Sequence, residues 1–155
     1  MGKDGALFQV VLAAHILCAV VGFGSVMATG GYASLARPRP GRDEAPDAVR
    51  RYFRPGPNWA SRVIFLVPVL GLVLAGIGGD FARAWLWVGS GLWALAAGVA
   101  VAVVWPAERR VAAAVAGGGA AGSLAGPART ASWAAGVVDL AVVAAFVVMI
   151  ARPQG

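Results

Sequence analysis

Charge along this chain is confined to short stretches, and long apolar runs separate them. No formal charge falls between Asp4 and Arg37, from Val63 to Gly79, or from Ala84 to Ala107; the run from Thr130 to Ala151 carries only Asp139. A helix needs about 20 apolar residues to cross the hydrocarbon core of a bilayer, with roughly 17 as the lower bound. All four runs meet that length. The pattern predicts an all-α, four-transmembrane-helix bundle, one integral membrane domain over 1–155, with helices near 7–32, 63–79, 85–104 and 131–151. Pro68 falls inside the second helix and removes a backbone donor, which predicts a kink near 64–67. In a membrane, neighbouring helices or a local change of helix type repair such a loss.

The connections differ in character. The first, 33–61, is long and arginine-rich, with a short interfacial helix expected over 47–53 and a stop at Pro55-Gly56-Pro57. Trp59 then re-enters at headgroup depth, where tryptophan is favoured. The second, at 80–83, reads as a tight turn. The third contains the Gly/Ala-rich run 116–126, low in complexity and expected to be flexible. Trp85, Trp87 and Trp105 bracket the third helix and read as an aromatic belt at the two interfaces.

Composition fits this picture. Hydrophobic residues make up 59% of the chain and charged residues 13%, against about 25% charged in soluble domains. The 13 basic residues are 12 Arg and Lys3, and they flank the apolar runs. That placement suits anionic lipid headgroups, so the lipid bilayer, not nucleic acid, is the expected partner. The Arg-for-Lys bias and the wealth of Ala, Gly and Pro point to a GC-rich bacterial genome. Ten basic residues border the first and third connections; Lys3, Arg83 and Arg152 border the other face. The positive-inside rule therefore places both termini outside the cytoplasm, in the bacterial cell (inner) membrane. Cys18 is the one cysteine, so no intramolecular disulfide exists.

Two ionisable groups lie within the spans. His15, the only histidine, heads a stripe of small or polar residues at helical spacing: Cys18, Gly22, Ser25 and Thr29. In lipid such a face turns toward other helices, because small residues permit close approach and polar ones find partners. Asp139 costs about 2.5–3.5 kcal/mol to insert on translocon scales and so needs the protein interior and a partner. His15 is one candidate partner. Arg62, snorkelling from the edge of the second helix, is another, and a protonated, neutral carboxyl is the third state. As a metal ligand His15 has a thin supporting set: Cys18 lies on its face, but a site wants three or four ligands. For haem a dimer or a Met axial ligand is needed, and Met149, near the outer end of the last helix, is a poor candidate. No nucleophile–base–orienter set for hydrolysis is present.

The chain resembles a bacterial family of small predicted integral membrane proteins of no assigned function. The likeness rests on His15 followed by Gly22-Phe23-Gly24, the Arg-rich first connection, Pro55-Gly56 before the second helix, the glycines within that helix, and the ending Met149-Ile150-Ala151-Arg152-Pro153. It is also loosely similar to four-helix membrane proteins of the copper-resistance D type, a similarity that implies haem or copper at an intramembrane histidine. The expected function is that of a non-enzymatic accessory or oligomeric membrane subunit, a homo-oligomer or part of a larger membrane complex. A haem- or copper-handling redox protein using His15, and a small proton-coupled carrier using Asp139 and His15, are the alternatives.

Overall fold

The computed structural model describes residues 5–37 and 44–151. Lys3, Arg39, Arg42, Asp43 and Arg152 lie outside them. The described chain is all-helical apart from an isolated antiparallel bridge between Glu44 and Ala120. Helix α1 covers Ala6–Leu35, α2 Asp47–Tyr52, α3 Trp59–Gly78, α4 Ala84–Ala116 and α5 Ala121–Ala151. Among the described residues, four helices are long and apolar enough to span a membrane.

Residues group into two compact units. One contains 5–25, 59–97 and 139–151; the other contains 26–37, 44–58 and 98–138. In the first unit the kink expected at Pro68 takes the form of a 3₁₀ turn at Val63–Phe65, inside α3. Proline leaves the carbonyl four residues earlier without its helical donor. That carbonyl belongs to Ile64, and the Trp93 indole N–H donates to it at 3.0 Å. Gly22 of α1 sits against the same residue: a Cβ there would stand 2.7 Å from Ile64 Cγ2 and 2.8 Å from its backbone nitrogen. Two backbones thus meet where the proline has opened one of them. Gly79, in a left-handed conformation at φ 70°, ends α3 and leads into the short turn before α4.

The second unit departs from expectation. Helix α4 runs twelve residues past the expected end at 104, and α5 begins ten residues before the expected start at 131. The 33 residues of Ala84–Ala116 extend about 50 Å at 1.5 Å per residue, well beyond a core of about 30 Å. The Gly/Ala run expected to be flexible is instead a tight turn followed by helix. Gly118 and Gly119 take φ of 106° and 70°, and Gly119 N–H caps α4 on the Ala114 carbonyl at 2.9 Å. Alanine favours helix once a partner surface is present, and here Leu124, Ala128, Ala131, Ala135 and Val138 form one fully buried seam. Pro106 is accommodated by a π turn at Ala100–Val104, whose wider ring eases the clash proline makes with the preceding turn.

The expected interfacial helix is present as α2, and it is folded into this unit. Val49 and Phe53 are buried against Ala107, Val111 and Leu124. Trp105 is buried, at 7% exposure, within the second unit; it is a core residue and not part of an interfacial belt. Trp59 and Trp87 are exposed and Trp85 is half-buried.

Candidate functional site

The stripe read from helix one is displaced by part of a turn. Gly22 and Thr29 are buried, while Cys18 and Ser25 are half-buried at its edge. The buried face is completed by Ala19, Phe23, Val26 and Ala33. Those residues are apolar, so a search for polar periodicity passed them over. Thr29 and the Tyr52 hydroxyl share a hydrogen bond at 2.8 Å, and Tyr52 stacks on Tyr32 with centroids 4.2 Å apart. Thr29 therefore secures α2 to α1 and has no chemistry left to offer.

His15 behaves differently. Its ring lies beside Gly71 of α3, where a Cβ would stand 3.2 Å from Cε1 and 3.7 Å from Nδ1. The Val67 backbone approaches the ring from the same helix. Nδ1 is sealed from solvent yet makes no hydrogen bond of good geometry. His15 lines two adjoining hollows of the first unit. The inner one, about 50 Å³, is walled by Phe23, Val67, Trp93, Val142 and Phe146. The outer cleft, about 820 Å³, reaches Leu74, Asp80, Trp85 and Ile150.

Met149 lines both hollows with His15. Axial depth alone had separated them, His15 lying about 13 Å along α1 and Met149 one turn from the end of α5. Side chains lean toward the N-terminus of their own helix. His15 therefore leans back along α1 while the Met149 thioether reaches down α5, and the two converge. Gly71, Asp80 and Trp93 were not singled out from the sequence either. Glycine within an otherwise Leu/Val-rich helix was the one available signal.

Asp139 is half-buried and makes no hydrogen bond or ion pair among the described residues. Neither candidate partner reaches it. Arg62 places its guanidinium 5.9 Å from the Trp59 ring centroid instead. An unpartnered carboxyl in an apolar span is a cost to the fold, so Asp139→Asn should leave thermal stability in detergent unchanged or raise it, by up to about 2 kcal/mol. A marked fall in melting temperature would mean that the carboxylate has a partner in the assembled protein.

No group of three or more His, Cys, Asp or Glu able to hold a metal ion occurs among the described residues. What the geometry offers is an imidazole that lines an apolar cleft between apolar helices.

Comparison with known proteins agrees on class. No curated protein and no solved structure matches the chain. A family model described as "Predicted integral membrane protein (DUF2269)" matches residues 9–153. With four spans, nearly full-length coverage and the first-helix histidine inside the matched region, the chain belongs to this family of multi-pass integral membrane proteins.

Proposed function

We propose that this is a non-catalytic, ligand-holding subunit of the bacterial inner membrane, with both termini outside the cytoplasm and His15 as the polar anchor of its ligand. The observation that carries the reading is the state of His15. Buried polar groups are nearly always hydrogen-bonded; His15 Nδ1 is sealed from solvent without a hydrogen bond of good geometry, and the ring borders an apolar cleft, so a ligand in that cleft would give the imidazole a polar partner. Asp139 supports a subunit role, because a half-buried carboxyl without a partner among the described residues suits a neighbouring copy or another membrane helix. A proton-carrier reading draws no support from geometry, since His15 and Asp139 share no hydrogen bond. Copper would meet a nitrogen from His15 and a sulfur from Met149. Haem fits less well, because among the described residues no Lys or Arg lines the cleft to neutralise propionates.

The test is direct. Protein purified in mild detergent should carry a compound or metal at close to one equivalent, seen by absorbance, metal analysis and mass spectrometry of an organic extract, and His15→Leu should lose it. Equal content in both proteins would defeat the reading. Orientation is checked on a Cys18→Ser background: a cysteine at Phe81 should react with impermeant maleimide in intact cells, and one at Arg54 should not.

A further inference from the structure

We infer that the His15 cleft takes a neutral, membrane-soluble carbonyl compound of the quinone class, with its ring against His15 Nε2 and its apolar chain running out to lipid. This rests on the ligand-holding reading above and names the ligand's chemistry.

Charge narrows the class first. Among the described residues, Asp80 is the only charged residue lining the cleft, and no Lys or Arg does so. An anion would be desolvated there without a counter-charge, which costs far more than one hydrogen bond returns. Fatty-acid carboxylates, phosphates and other acids are therefore disfavoured.

The polar groups narrow it further. Among the described residues, and apart from Asp80 at the turn between α3 and α4, His15 is the only hydrogen-bonding side chain in the lining besides the indoles of Trp85 and Trp93. The indole N–H of Trp93 is committed to the Ile64 carbonyl, and Trp85 lines the outer cleft but not the inner hollow. The ligand's inner end thus meets one polar point. A neutral imidazole nitrogen donates or accepts according to tautomer. It can donate to a ring carbonyl and accept from the hydroxyl of the reduced ring, whereas a simple hydrocarbon would leave it unpaired.

Shape and access agree. The outer cleft, about 820 Å³, lies within the roughly 300–1,000 Å³ of small-molecule sites. Phe146 lines both hollows, and Phe23 and Trp93 the inner one, so aromatic side chains border the His15 end of the cleft. Leu12, Ile16, Phe146 and Ile150 form an apolar rim, exposed by 37%, 48%, 48% and 79%. In a bilayer those faces meet acyl chains, so a lipophilic ligand enters sideways without crossing water.

The experiment titrates the purified protein with a benzoquinone carrying a ten-carbon tail, alongside decylbenzene, which keeps the size but lacks the carbonyls, and hexadecanoate. Trp93 and Trp85 report by fluorescence quenching, and the two non-quenching compounds are scored as competitors. The quinone should quench saturably. Decylbenzene should compete about tenfold more weakly, His15→Leu should weaken quinone binding by about the same factor, as one buried hydrogen bond predicts, and hexadecanoate should not compete. Equal affinity for quinone and decylbenzene in the wild-type protein overturns the carbonyl class and leaves the ligand-holding cleft standing. Competition by hexadecanoate as strong as by quinone overturns neutrality. Quenching that rises linearly with no saturation, and no competition by either compound, overturns both. The comparison of compounds on wild-type protein decides the matter even where His15→Leu fails to fold.

Discussion

Gly22→Leu should abolish accumulation of a monodisperse, folded protein, while Val20→Leu on the same helix should be tolerated. The reason is local. A Cβ at position 22 would lie 2.7 Å from a methyl of Ile64 and 2.8 Å from its backbone nitrogen. A methyl on a flexible side chain can move, but a backbone nitrogen in the turn forced by Pro68 cannot move without disturbing the Trp93 hydrogen bond as well. Overpacking a close helix contact costs typically 1–3 kcal/mol and occasionally more; with backbone in the way, about 3 kcal/mol or more is expected. Val20 is 60% exposed and has room to grow into lipid. Size-exclusion profiles and melting curves of the two variants check this, and similar profiles for both would mean that α1 does not approach α3 at this point.

Phe53→Ala should detach the first connection from the rest of its unit. Phe53 is 3% exposed, and with Val49 it fills the cluster made by Ala107, Val111, Leu124 and Ala128. Truncating a buried phenylalanine costs about 3–5 kcal/mol, more than α2, a helix of six residues, can recover from its own hydrogen bonds. The Arg50–Glu44 ion pair, at 2.6 Å but exposed, adds little. Trypsin should then cut rapidly at Arg50, Arg51 and Arg54, sites that in the wild-type protein are held by the cluster. Equal cutting rates before and after the substitution would show that the segment is not anchored.

The four spans were legible because a bilayer demands uncharged length, and length can be read directly. So were the turn near Asp80 and the repair needed at Pro68. The identity of the repairing group was not legible, because a tryptophan 25 residues away in sequence carries no local mark of its partner. The ends of α4 and α5 were missed for a related reason: Glu108, Arg109, Arg110 and the glycines around 117–119 read as loop on composition, yet they cap and decorate a helical hairpin whose alanine seam becomes apparent only against its partner. Around His15 the histidine itself stood out and Met149 read only as a distant axial ligand, while Gly71 and Asp80 did not stand out. What joins them is the lean of side chains on oppositely directed helices, which sequence spacing within one helix does not encode.

The four spans are unequal, and the shortest sets a constraint on the surrounding membrane. Helix α3 is 20 residues, against 30 or more for the others, with the exposed Trp59 at one end and the left-handed Gly79 at the other. At 1.5 Å per residue it extends about 30 Å, the average hydrocarbon thickness of a bilayer. It has no slack. The longer helices absorb a thicker membrane by tilting or by drawing in residues from their ends, but α3 can only thin the lipid beside it, at a fraction of a kcal/mol for each ångström of mismatch. It is therefore the ruler of the molecule, and reconstitution into lipids of graded chain length should find an optimum set by α3 alone.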